Sequence, residues 1–162
     1  MKNKILILGS NYETAPLVKK ANEKNLITFV IGKERNNITK QIADVSIVGD
    51  ASNIKLVSET IYKNNINAVM VGVVDVLLNT YEKVCRKFKF PCYANSKSVN
   101  IFSSKSNFNT ICKKFGLKQI PDYSNYIKKN KELPKKVFPV IIKPTDSGGG
   151  VGTTLCHSNR EV

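Results

Sequence analysis

Lys143 and the glycines at 148, 149, 150 and 152 stand together in Phe138-Pro-Val-Ile-Ile-Lys-Pro-Thr-Asp-Ser-Gly-Gly-Gly-Val-Gly-Thr-Thr-Leu-Cys156. The lysine ends an apolar run, and a second strand-like run, Thr153 to Cys156, follows the glycines. Clustered glycines let a backbone approach phosphate oxygens closely, so that its N–H groups donate to them. A plain hairpin turn is the competing reading, but it needs only one or two glycines. The order of the parts separates this loop from other phosphate loops. No Lys-Ser or Lys-Thr follows the last glycine, as a Walker loop requires. A strand, not a helix, is expected next, unlike a dinucleotide fingerprint. In kinases the glycine loop comes before the strand lysine; here it comes after.

Strand alternation puts Lys143 on the face of Ile141, opposite Val140 and Ile142, where it could reach an α- or β-phosphate or simply snorkel to water. A second lysine is less obvious. Lys105 lies three residues before Phe108, on the side of the stripe formed by Phe108, Ile111, Cys112 and Phe115. It also falls in a first helical turn, where the helix dipole disfavours a cation. Either an anion lies near or the residue is a solvated helix start. At the other end, Gly9-Ser-Asn-Tyr-Glu-Thr14 follows the first strand, with Asn11 and Thr14 where a dinucleotide site wants glycine. Asn11, Glu13 and Asp75 are weak candidates for substrate contact at the carboxyl edge of a parallel sheet. Glu13, Asp50 and Asp75 all follow strands at that edge and read first as caps or turn formers.

These residues need elements to hold them. Strands are expected at Ile5–Leu8, Ile27–Ile31, Val45–Val48, Ala68–Val73 and near Cys92. Helices are expected at Ala15–Lys24, Asn53–Lys63 and Val76–Phe88, from three-and-four apolar spacing. Thr14 can cap the first helix, with Pro16 tolerated in its opening turn, and Ser52 or Asn53 a later one. Runs apolar throughout, such as Ile5–Leu8, suit strands covered on both faces. The alternation gives an α/β, Rossmann-like open parallel sheet over 1–94. Linking helices Ser96–Phe102 and Ser104–Phe115, with Gly116 as a left-handed stop, fill 95–124. A basic, Pro-containing connector from Asn125 to Lys136 then leads into an antiparallel glycine-rich β-hairpin within 125–162.

Composition narrows the classes. Hydrophobic residues make up 41% of the 162, which excludes wholesale disorder. No apolar run approaches the ~20 residues of a membrane span, and the start reads as a strand, which points to the cytoplasm. The four cysteines form no CxxC pair and His157 is the single histidine, so a zinc site is not expected, and reduced, mostly packed thiols are. The net charge of +14 attracts polyanions, yet the lysines are spread along the chain. A basic nucleic-acid-binding module would want aromatic side chains among them, and only Tyr123 and Tyr126 beside Lys128 and Lys129 qualify. Nucleic acid is therefore a disfavoured partner. A non-catalytic Rossmann-like ligand-binding domain is the other alternative.

Lys143-Pro-Thr-Asp-Ser-Gly-Gly-Gly-Val-Gly152, preceded by Phe138-Pro-Val, resembles the ATP-grasp superfamily. Ser104-Lys105-Ser106 with Gly116-Leu-Lys-Gln-Ile-Pro-Asp122 is similar to that family's linker, and the opening domain, with Ala43-Asp44 and Gly49-Asp50 around its third strand, to its pre-ATP-grasp domain. The resemblance implies the N-terminal part of an ATP-dependent ligase of the carbamoyl-phosphate synthase, biotin carboxylase or carboxylate–amine ligase type. A truncated α+β ATP-grasp subdomain would begin at 125. In such ligases ATP phosphorylates a small carboxylate, and an amine or other nucleophile displaces phosphate from the acylphosphate. The positions implied to contact ATP are Lys105, Lys143, Ser147, Gly148, Gly149, Gly150 and Gly152. Two features depart from the pattern: Ser104 stands where Asp is common, and Asp146 and Ser147 replace glycines of the carboxylases. Magnesium ligands and the adenine hinge are expected from a later segment, so the 162 residues alone should bind ATP weakly and catalyse no ligation. No residue names the acid, and a homo-oligomer is compatible with the sequence.

Overall fold

The computed structural model describes residues 2–144 and 150–162. Contacts divide the chain into two compact units, Met1–Val99 and Asn100–Val162.

The first unit is built on four parallel strands, β1 (Lys4–Leu8), β2 (Ile27–Gly32), β3 (Val45–Val48) and β4 (Ala68–Val71), in the order β3-β2-β1-β4. Leu6 pairs with Phe29 on one side and with Val69 on the other, so β1 is central. Its apolar run has the expected cause: Leu6 and Leu8 pack with Phe29, Ile31, Val57, Ile61, Tyr81 and Val84, while Ile5 and Ile7 pack with Val18, Ala21 and Val30 on the opposite face. The helices α1 (Ala15–Glu23), α3 (Ile54–Asn64) and α4 (Leu78–Phe88) cover the two faces. Asn53 is the cap of α3, its side chain accepting from the N–H groups of Lys55 and Leu56 at 3.1 Å. Thr14 does not cap α1 through its side chain; its hydroxyl donates back to the Asn11 amide oxygen.

Several expectations need correction. β4 ends at Val71, and the next helix opens as a 3₁₀ turn, Asp75–Leu77, before α4. No strand forms near Cys92 among the described residues. There Phe90 packs on the core and Tyr93 stacks on Tyr81, so the apolar character serves packing against α4, not sheet pairing. A four-residue helix, α2 (Ile38–Gln41), capped by Asn37, was too short to show a period.

The second unit begins within α5 (Ser96–Ser103) and continues through α6 (Lys105–Lys114) and α7 (Ser124–Asn130) to an antiparallel pair, β5 (Val140–Ile142) and β6 (Thr154–Cys156). Gly116 has φ 64° and ends α6 in the left-handed conformation, with Leu117 N–H returning to the Cys112 carbonyl at 3.0 Å. The segment expected as a connector holds α7, a lysine-rich turn of helix with no buried residue. The Asn159 side chain fastens residue 133: its Oδ1 accepts from Leu133 N–H at 2.7 Å and its Nδ2 donates to the Leu133 carbonyl at 2.9 Å. The Phe138–Pro139 peptide leading into β5 is cis.

Candidate functional site

Ile141 faces Leu155 and Ile142 faces Thr154, so Lys143 leaves the paired strands one residue after β5. It therefore follows the strand instead of ending it. Lys143 is exposed, and so is Ile141, on whose face alternation places it.

Pro144, the next residue, is where three of the features marked in the sequence meet. The Lys105 ammonium donates to the Pro144 carbonyl at 2.6 Å. On the far side of the loop, Gly152 lies against the proline ring: a Cβ there would sit 2.8 Å from Pro144 Cγ, closer than real contacts allow. Gly150 and Gly152 take φ of 77° and 72°, a conformation that disfavours any side chain, and Thr153 N–H donates to the Gly150 carbonyl at 3.1 Å to close a tight turn. Space beside Gly150 is open: an added Cβ would touch nothing within 4 Å. Ser147, Gly148 and Gly149 lie outside the described residues.

Lys105 reaches that position because of where α6 starts. Ser104 accepts from Asn107 N–H through its hydroxyl, at 3.3 Å, and so caps the helix, making Lys105 the first helical residue. Of the stripe behind it, Cys112 is buried, while Phe108 and Phe115 remain exposed. The side chain thus turns to the loop base instead of lying along a covered apolar face.

The first unit holds a separate feature, a cavity of about 250 Å³ at the carboxyl edge of its sheet. The chain leaves β1 towards β2 and β3, then crosses back to place β4 on the other side, and crevices open at such reversals. Residues after each strand line it, among them Ser10 and Asn11 after β1, Lys33 and Glu34 after β2, and Asp50 after β3. Ser10 packs so tightly on Gly32 that a Cβ there would fall 2.0 Å from its hydroxyl oxygen.

Charged groups at this edge are held by hydrogen bonds and by one ion pair, Lys33 with Asp50. The Ser10 hydroxyl donates to Glu34 Oε2 at 2.7 Å and is the main reason the Glu34 carboxyl is held below the usual range. Asp50 accepts from the Ser52 hydroxyl at 2.6 Å and from its N–H at 2.9 Å; with Lys33 at 3.0 Å, these bonds bring its carboxyl down to about 2. Lys40, buried on α2, donates to the carbonyls of Gly32 (2.9 Å) and Glu34, fixing the loop after β2, and burial lowers its ammonium from the usual value. Asn11 lines the cavity, and its amide nitrogen donates to Glu13 Oε2 at 3.0 Å. Glu13 and Asp75 are exposed and stand outside the lining. Ser10, Lys33 and Glu34 were not singled out by sequence reasoning, and Ser52 only as a helix cap; reading off the residues that follow each parallel strand would have found them.

The fold has well-matched relatives. A Staphylococcus aureus N5-carboxyaminoimidazole synthetase complexed with ADP superposes with a TM-score of 0.75 at 15% identity, over 99% of this chain and 43% of that one. An L-amino acid ligase from Bacillus licheniformis gives 0.71 at 14% identity, over 99% and 41%. A phosphoribosylglycinamide synthetase from Anaerococcus prevotii gives 0.64 at 20%, over 99% and 40%. The fold of this chain is that of a part of each of these enzymes. This chain spans less than half the length of each of these three structures. No protein-family model matches it, and no curated protein sequence does. No helix among the described residues is long and apolar enough to cross a membrane.

Proposed function

We propose that this chain forms the nucleotide-phosphate-binding, N-terminal part of a cytoplasmic ATP-dependent ligase that activates a small carboxylate for attack by an amine or other nucleophile. The observation that carries the reading is the 2.6 Å bond from Lys105 to the Pro144 carbonyl. It sets the linker lysine at the base of the glycine loop, next in sequence to Lys143. Two ammonium groups and the main-chain N–H groups of a glycine turn are a donor set that fits a polyphosphate. The left-handed turn at Gly150 and Gly152, with open space beside Gly150, suits close approach of an anion to the backbone.

In this reading ATP supplies the phosphoryl group. Lys143 and Lys105 bind and orient the phosphates, and Gly148, Gly149, Gly150, Gly152 and Ser147 close over them. The cavity beside Asn11 is the place for the carboxylate substrate, with Glu13 and Asp75 as neighbours beyond its lining. A carbamoyl-phosphate-synthase-like choice of acid has no support from these three solved structures, which are other enzymes. Among the described residues no group of three or more His, Cys, Asp or Glu side chains could hold a metal ion.

The test is kinetic and uses the complete gene product. ADP release should depend on both an acid and a nucleophile. Lys143→Ala should raise the KM for ATP by about tenfold to a hundredfold, since a hydrogen bond to a charged group contributes about 1.5–3 kcal/mol. Lys105→Ala should act in the same direction. An unchanged KM for ATP in both variants would remove the assignment.

A further inference from the structure

Cys85 lies in the last turn of α4 with no exposed surface, and Cys92 lies in the exposed connector that follows. The connector folds back over the helix end it has just left. Lys89 ends the helix in a left-handed conformation (φ 56°), and Phe90 N–H then donates to the Cys85 carbonyl at 2.9 Å. Three residues on, Tyr93 N–H donates to the Tyr81 hydroxyl at 3.3 Å, and the two rings stack with centroids 4.7 Å apart. Tyr81 and Cys85 are one turn apart on the same helix face. A segment pinned at 90 to position 85 and at 93 to position 81 must carry Cys92 across that face. Cys92 is thereby close enough to Cys85 and to Tyr81 for its side chain to act on both. Nothing in the sequence spacing announces the pair, since it is not a CxxC.

We propose that Cys85 and Cys92 form a reversible oxidation site, at which a peroxide oxidises Cys92 and Cys85 closes the disulfide. Cys92 meets the oxidant because it is exposed, whereas Cys85 is enclosed and burial pushes its thiol up to about 12. In the first step Cys92 Sγ takes one peroxide oxygen, the O–O bond breaks, and Cys92 becomes a sulfenic acid as water leaves. In the second, Cys85 Sγ bonds to Cys92 Sγ, the S–O bond breaks, and the departing hydroxide takes the Cys85 proton as water. Two thiols and one hydrogen peroxide thus give one disulfide and two waters. The new bond ties the connector to α4, and a dithiol reductant reverses it.

The experiment treats the full chain with a small excess of hydrogen peroxide and counts thiols in denaturant. The count should fall from four to two, with a Cys85–Cys92 linked pair in a non-reducing peptide map, and dithiothreitol should restore all four. In Cys85→Ser, dimedone should trap a sulfenic acid at Cys92 with no link formed. Oxidation of wild-type Cys92 without a link to Cys85, a link to Cys112 or Cys156 instead, or an unchanged thiol count would each overturn the proposal. The peptide map of the wild-type chain decides this even if a variant fails to fold.

Discussion

Leu6, Ile7, Val30 and Ile31 have no exposed surface, whereas Ile141 and Leu155, facing each other in the hairpin, are 56% and 53% exposed. The two units are held together by different means. In the first, parallel strands are covered on both faces and their order follows from apolar burial. In the second, two short strands depend on local devices: the Gly150–Thr153 turn, the Pro144–Gly152 contact and the Asn159 clamp on residue 133. A two-stranded sheet is marginal by itself. The turn at Gly150 and Gly152 therefore stands on the less buried part of the molecule, which fits its proposed role, since ligand-binding loops are generally drawn from the low-stability end.

The largest effect that separates the units is on global stability. Leu6→Ala should cost about 2–5 kcal/mol, because a fully enclosed leucine leaves a cavity between two packed layers. Leu155→Ala should cost no more than about 0.5 kcal/mol, as for an ordinary surface change. Urea unfolding of both variants measures this. A Leu155→Ala cost equal to that of Leu6→Ala would show that the hairpin is a full part of the stability core.

The same division decides what could be read from sequence. β1 and β4 were legible because burial on two faces demands uninterrupted apolar runs, as at Ile5–Leu8, whereas the exposed β3 was legible only from its β-branched Val45, Ile47 and Val48. The hairpin and the left-handed stop at Gly116 were legible because glycine is the residue those conformations favour. The segment around Cys92 was misread as a strand because Phe90 and Tyr93 look alike whether they pair or pack. α7 was missed since a lysine-rich helix with no buried residue has no apolar period. The salt bridge of Lys33 with Asp50 and the burial of Lys40 depend on loops brought together by the crossover, which local sequence does not encode. The approach of Lys105 to Pro144 is of the same kind: the sequence offered an anion or solvent, and the structure supplies a carbonyl.

A second comparison lies within the loop. Gly150→Ala and Gly152→Ala both force a side chain into a left-handed conformation, at about 1–2 kcal/mol each. Only at 152 does the new methyl also collide with Pro144. Hydrogen exchange of the 140–142 and 154–156 amides should therefore accelerate more in Gly152→Ala, by about another tenfold for each further ~1.4 kcal/mol of local opening. Equal acceleration in the two variants would mean that the Pro144 contact does not hold the loop closed.

The smallest predicted effect tests an exception inside the first unit. β3 is an edge strand whose residues are largely exposed, so it resembles the hairpin more than its neighbours. Asp44 anchors its start to β2: its Oδ2 accepts from Thr28 N–H at 2.7 Å and from the Thr28 hydroxyl at 2.9 Å. Those bonds, the N–H first, hold the Asp44 carboxyl below its ordinary value. Between the lowered and ordinary values the unfolded chain binds the proton and the folded chain does not, so stability rises with pH across that window. The contribution is complete above the ordinary carboxylate value and is lost as pH falls through the lowered one. Asp44→Asn should therefore be less stable than the wild-type chain at neutral pH, by less than the Leu6→Ala cost, and the gap should narrow on acidification. A gap that stays constant from pH 7 to pH 3 would show that the ionised carboxylate adds nothing, and that apolar packing alone sets the position of β3.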